Sequence, residues 1–384
     1  MPLTVVDLIK NKFFTIMNSN KHNPDLIRKW ENLIENLGDN YSVQERFLRH
    51  YYNAFRDDLN NLFRINEKNE KKYPLGTVAT RTNLIAIYEK IIENKAFNLL
   101  DTLLAASESY ALILSRNENY SDPLLSDLRK PLKDLEHIQG VPSYLLLFYL
   151  LEKKETLKLV PSHLVKIVNL LVAFFLRRNL TDTPPTRSLT DLFMSIIEKI
   201  IAQSIIGEDI VYIVKNELIQ ISANNDRYEE KLAGSLYTEN DGVTRFILCS
   251  LAEQGMTKEN WVDLWERKTQ YIWSIEHVFP QGENIPDEWV QMIANGDQEE
   301  AKKLQEHHVH RLGNLTLSGY NAKLSHSPFE YKKERVDKNG NPIGYKNGLK
   351  LNEDIANAEK WTIDKIEMRT QKLINQVLKL FPIE

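Results

Sequence analysis

The chain has 384 residues, long enough for two or three domains, and its 42% hydrophobic and 27% charged residues are ordinary for a globular protein. A net charge of −4 excludes a global basic field for nucleic acid, so any such binding has to come from a local patch. The single cysteine, Cys249, excludes a disulfide framework and a zinc site built on paired thiolates. It fits a reducing compartment. The longest apolar stretch, "LVKIVNLLVAFFL" (164–176), is too short to span a bilayer and contains Lys166. The opening "MPLTVVDLIKNKFF" has the wrong charge order for a signal peptide. The expected location is cytoplasmic.

From about residue 5 to 268 the pattern predicts helices. Apolar residues recur at three- and four-residue steps in "LIAIYEKIIENKAFNLLDTLLAASESYALIL" (84–114), spaced for one buried stripe. "SYLLLFYLLEKK" (143–154), "HLVKIVNLLVAFFLRR" (163–178) and "LTDLFMSIIEKIIAQSII" (189–206) read the same way. Breaks are expected at "YSDPLL" (120–125), "QGVPSY" (139–144) and "TDTPPTRS" (181–188), the last being the best candidate for a hinge. This divides the chain into a helical region 1–180, its continuation 181–268, and a distinct segment 269–384. The helical regions hold no phosphate loop and no cluster of catalytic residue types. "ERFLRHYYNAFR" (45–56) interleaves Arg46, Arg49, His50 and Arg56 with aromatics; it suits a solvated amphipathic face better than a nucleic-acid contact.

Composition changes near residue 270. Trp261, Trp265 and Trp273 cluster just before it or beside it, and His277, His307, His308, His310 and His326 follow. Three pieces then stand in order: "IEHVFP", a short strand meeting a proline; "HRLGNLTLS" (310–318), a loop and an alternating strand; and "GYNAKLSHSPFEYKK" (319–333), a helix opening near Asn321. A polar, turn-rich stretch, "VDKNGNPIGYKNG" (336–348), leads to helical patterns over 351–361 and 363–381.

Strand, loop-strand, helix is the order of a ββα-metal unit, which grips one divalent cation between a strand end and a helix. Phosphodiester hydrolysis needs a base for water, and imidazole, with a pKa of about 6.5, suits neutral pH. It also needs a cation on hard oxygen ligands that leave part of its shell open. His277 is the candidate base, with Glu276 and Asn321 as oxygen ligands. Neighbouring strand residues point to opposite faces, so Glu276 and His277 share one site only if the strand twists or bulges before Pro280. The run "EHHVH" suggests zinc, but closed zinc sites take four ligands and thiolates are missing; His307 and His308 read better as polar residues entering a loop.

Residues 269–382 resemble the C-terminal nuclease domain of the GmrSD family of modification-dependent restriction enzymes, a branch of the His-Asn-His (HNH) superfamily. The resemblance rests on "IEHVFPQ", Trp289, "HRLGNLTLSGYNAKLSHSPFEYKK", "LKLNEDIANAEKW" and "IEMRTQKL". It implies that His277 is the general base, and that Glu276 stands where the superfamily often has an aspartate ligand. Asn314 then braces the loop that orients His277, and Asn321 occupies a metal-ligand position where many relatives use histidine. His310 is implied as a phosphate contact or a proton donor to the leaving group. Arg311, Lys332 and Lys333 are implied as groups that neutralise DNA phosphate. His326 departs from the asparagine of the family pattern and is either a surface substitution, the better reading, or an auxiliary ligand. Arg369, in "IEMR", either reaches phosphate or pairs with an acid.

The upstream segments "LTVVDLIKNKFF" (3–14) and "ERFLRHYY" (45–52) also resemble this family, in which they follow a ParB-like, nucleotide-using domain. No Asp-Gly-Gln-Gln-Arg type signature is present, so a separately encoded ParB-like NTPase-domain protein is the expected partner, beside DNA that carries a modified base; a truncated chain or a degenerate gene would give the same sequence. A second copy of the chain stays open as a partner, and a membrane is not expected. The expected whole is a mostly α protein with a C-terminal ββα-metal nuclease domain and extra helices. Its expected activity is Mg²⁺-dependent (or Mn²⁺-dependent) DNA cleavage in an anti-phage restriction system. The rival readings are a catalytically inert DNA-binding or scaffold subunit and an RNA-cleaving toxin.

Overall fold

The computed structural model describes residues 3–17, 24–61, 72–115, 126–324 and 326–383. These are mostly helical, as the periodicity predicts. The break expected at 120–125 lies outside the described residues. Among the described residues, no helix is long and apolar enough to cross a membrane. Two compact units divide the chain: Met1–Val172 with Pro185–Gln220, and Ala173–Pro184 with Ile221–Glu384.

The first unit is built of helices. Leu84–Ile113 and Tyr144–Glu152 follow the predicted periodicities closely. In the second of these, Tyr144 through Leu151 are all buried, so the helix is apolar all round rather than striped. Phe47, Tyr51, Phe55 and Tyr110 pack ring against ring on its Phe148. The stretch 45–56, expected as a solvated face, is partly turned inward. His50 is buried and hydrogen-bonds Tyr110, and Arg56 is buried, donating to Thr77 O and pairing with Glu198. Arg49 pairs with Glu45. Aromatic neighbours at helical spacing carried His50 and Arg56 into the core, where each found a partner.

In the second unit the helical stretch ends at Glu253, earlier than the pattern over 5–268 suggests. The segment after it is irregular and organised around one buried side chain. Arg245 donates to Trp273 O (2.6 Å) and Leu264 O (2.5 Å), and its guanidinium lies over the rings of Trp265 and Tyr271. The tryptophan cluster is thus the wrapping of a buried arginine.

Strand β1 (Ser274–His277) pairs antiparallel with β2 (Leu315–Ser318), matching Ser274 to Ser318, Ile275 to Leu317, Glu276 to Thr316 and His277 to Leu315. All four residues of β2 are buried, so the alternation expected there does not separate a wet face from a dry one. Between the strands run two helices, Asp287–Ala294 and Gln298–His308. Asp297 caps the second through Glu299 N and Glu300 N (3.0 Å each), and His307 and His308 occupy its last turn, where a helix favours basic groups. They end the helix and lead into the loop before β2.

After β2 the predicted single helix is two short ones, Asn321–Leu324 and Phe329–Glu334, because Pro328 starts the second and cannot continue the first. In 336–348, Val336 bridges Pro342, and the Asp337 side chain accepts from Asn339 N and Asn341 N. The last helix, Ile363–Leu380, lies against the turn Leu312–Asn314. Approach is so close that a Cβ on Gly313 would collide with the Ile366 carbonyl and reach within 2.6 Å of Thr370 N. The core beneath the strands includes Phe279, Trp289, Phe329, Tyr345 and Trp361.

Candidate active site

The regular one-for-one register of β1 decides how its two functional residues are used. It has no bulge, so Glu276 and His277 face opposite ways. The twist required for a shared site does not occur.

On one side, His277 is only 5% exposed, and its Nε2 lies 3.1 Å from His310 Nδ1. The two rings are nearly perpendicular. Tyr237, from the short helix Leu236–Glu239, stacks on His310 at 16° and meets His277 at 87°. Burial, with His310 and the Lys332 charge adding to it, pushes His277 down to about 3, so it is neutral at pH 7. Burial also pushes His310 down. Two neutral imidazoles can share a hydrogen bond only if one nitrogen donates and the other accepts. A proton on His277 Nε2 leaves its Nδ1 as a free acceptor.

On the other side, Glu276 is 3% exposed and accepts from Lys332 Nζ (2.8 Å) and the Tyr345 hydroxyl (3.1 Å). Lys332 has no exposed surface; it donates also to His277 O (2.9 Å) and Val278 O (3.1 Å). Burial pushes the Glu276 carboxyl up and the Lys332 ammonium down, and their attraction works against both shifts. The lysine expected on a DNA-facing surface is therefore a buried tie across the strand exit. Lys333 is buried as well, on Ala358 O (3.1 Å), Glu330 and the Phe329 ring. Arg311 lies at the surface, donating to His307 O (3.1 Å) and 3.5 Å from Glu367. Of the three expected phosphate contacts, only Arg311 has the exposure for it.

Asn314 is fully buried and uses every polar atom of its amide. It donates to Phe279 O (3.0 Å) and Val309 O (2.9 Å) and accepts from Phe279 N (2.8 Å) and Trp361 Nε1 (3.1 Å). Its main-chain carbonyl accepts from Val278 N (2.9 Å). The chain leaving His277 is thus bound to the loop entering β2. Arg369, expected on phosphate or on an acid, is buried; it donates to Gly313 O (2.6 Å), Leu315 O (2.8 Å) and Leu351 O (2.9 Å) and holds the same loop. Asn321 donates to Ile275 O (2.6 Å), next to the strand end. His326 is exposed, with its ring against Gly282.

The expected cation pair does not fit this arrangement. Glu276 faces away from His277 and holds a buried ammonium, which a cation would have to displace. Among the described residues, no three His, Cys, Asp or Glu side chains gather to hold a metal ion.

Residues 222–376 match the family model of the C-terminal domain of GmrSD restriction endonucleases. This part of the chain belongs to that domain family. No curated protein and no solved structure gives a significant match. The GmrSD C-terminal domain so delimited begins well before residue 269 and takes in Tyr237, which no motif in the sequence marks. The matched model is that of a restriction-endonuclease domain, and the His277–His310 pair, Asn314 and Asn321 all lie within the matched residues.

Proposed function

We propose that the chain is an HNH-type DNA endonuclease of a modification-dependent restriction system, in which His277 activates water against a phosphodiester. The observation that carries this is the contact of His277 Nε2 with His310 Nδ1, in a strand tip braced by Asn314 and inside a restriction-endonuclease domain. With its Nε2 proton given to His310, His277 keeps one ring nitrogen to take a proton from water. Burial keeps it neutral, the protonation state a base requires, though a weak one. An arriving phosphate anion favours the imidazolium and strengthens the base as substrate binds. His310, half-buried beside it, is the candidate donor to the leaving oxygen, and Arg311 the candidate phosphate contact. In this reading a ParB-like, nucleotide-using partner recognises the modified DNA.

His277→Ala should abolish nicking of supercoiled plasmid while leaving the circular dichroism spectrum unchanged. Full activity in clean preparations of that variant would sink the mechanism. Running the assay with Mg²⁺, with Mn²⁺ and with EDTA reads the metal requirement that the resemblance implies. A second reading, an inert DNA-binding or scaffold subunit, is favoured by the Glu276–Lys332 tie, which occupies an expected ligand. It predicts plasmid binding without nicking under every cation and with the partner present.

A further inference from the structure

Three aromatic rings meet at the strand tip, and one of them comes from a helix outside the strand-loop-helix motif. Tyr237 stacks on His310 with ring centroids 5.6 Å apart and meets His277 edge to face at 4.8 Å. Its backbone N–H donates to His310 O (3.3 Å), so residue 237 grips residue 310 by ring and by main chain. The platform under Tyr237 is itself tied down. Leu236 is fully buried, and its carbonyl accepts from the Thr244 hydroxyl (3.0 Å) and from Asn240 N (3.0 Å). Asn240 in turn caps the helix Asp241–Glu253 through Val243 N (3.0 Å) and donates to Asn179 O (3.2 Å).

We propose that Tyr237 is a positioning residue for the His277–His310 pair, setting the planes of both imidazoles so that their nitrogens stay in register. One hydrogen bond leaves an imidazole free to turn about its Cβ–Cγ bond. A stacked face on one ring and an edge-to-face contact on the other remove that freedom, and such ring pairs have definite preferred geometries. The same ring helps keep water from His277, which is nearly buried although it sits at a strand end. The ring carries this role, so phenylalanine should replace tyrosine and an aliphatic side chain should not. The inference rests on the nuclease reading, and its test has one arm that does not.

In the full-length protein at pH 7, diethylpyrocarbonate acylates neutral imidazoles, and peptide mass spectrometry follows each histidine separately. The exposed His326 is the internal reference. Tyr237→Leu should raise the acylation rate of His277 about tenfold, with Tyr237→Phe within about twofold of wild type. In plasmid nicking, Tyr237→Leu should lower kcat at least about tenfold with KM unchanged, and Tyr237→Phe should restore it. Tyr237→Met takes the place of the leucine variant if that variant shows no cooperative melt. Wild-type labelling of His277 in the aliphatic variant would overturn the proposal. So would faster labelling with unchanged kcat, or a phenylalanine variant as impaired as the leucine one. If the wild type cuts no DNA under any condition, the nuclease reading fails, and the labelling rates still decide whether Tyr237 holds the pair.

Discussion

Replacing Lys332 with methionine removes the ammonium that ties Glu276 to the exit of β1 while keeping most of the side-chain volume. Glu276, 3% exposed, is left with the Tyr345 hydroxyl alone, and His277 O and Val278 O each lose a donor. Breaking a buried ion pair from one side costs about 3–5 kcal/mol. In a unit of this size that lowers Tm by roughly 6–20 °C, at about 2–4 °C for each kcal/mol. The loss should depend on pH. Burial already pushes the Glu276 carboxyl up, and without Lys332 it rises further. A folded-state pKa above the unfolded one contributes stability at low pH that disappears as pH rises through the folded value. Lys332→Met should therefore be less destabilised at pH 5 than at pH 8. Tryptophan fluorescence in urea is the assay, because Trp261, Trp265, Trp273, Trp289 and Trp361 all lie in the C-terminal unit. Adding Glu276→Gln should recover part of the loss by removing the stranded charge. A Lys332→Met protein within about 1 kcal/mol of wild type at pH 8, against the several expected for a broken buried pair, would refute the reasoning. A double variant less stable than the single one would refute it too.

Asn314→Ala leaves two buried donors and two buried acceptors unmatched, at about 1–3 kcal/mol for each group before relaxation. It should destabilise the unit by several kcal/mol, read by the same urea titration, and lower nicking about a hundredfold through displacement of His277. Acid should weaken the C-terminal unit through His277. Its folded pKa lies near 3, below the ordinary value of 6.5, so its contribution is complete above 6.5 and is lost as pH falls toward 3. His277→Asn should flatten the fall in stability measured by urea titrations between pH 7 and pH 4. Gly313→Ala places a methyl group against the Ile366 carbonyl and Thr370 N, so the last helix has to move. A loss of at least about 2 kcal/mol is expected, and a neutral effect would show that the helix yields freely.

Much of the helical framework was legible in the chain. Apolar residues at three- and four-residue steps located Leu84–Ile113 and Pro161–Thr181 without help from tertiary structure, because helix packing selects that spacing directly. The order of the two strands was legible too, while the bracing asparagine was implied by the family resemblance of "HRLGNLTLS", and its amide is of the kind that can satisfy main-chain groups on both sides. The path of 254–273 was not, because its order comes from Arg245, a residue in the preceding helix. Lys332 and Lys333 misled for a related reason. Lysine is almost never fully buried unless paired, so surface is the sound expectation until a buried carboxylate is known to lie opposite.

The sequence alone determined the order of β1, the loop with His310 and Asn314, β2 and the short helix opened by Asn321, while the role of these residues as a group is what the family resemblance implies. Alternation along a strand allowed Glu276 and His277 one shared site only if β1 twisted or bulged, and the regular register of the folded strand kept them apart. Which face holds Lys332 and which holds His310 is decided only by tertiary structure. So are the ring of Tyr237 over the histidines and the indole of Trp361 on Asn314. These partners are far apart in the chain, and no local periodicity encodes a contact made only when the core closes. Closure turned the acid expected to hold a cation into the counter-charge of a buried lysine, and left the histidine beside it paired with a second imidazole.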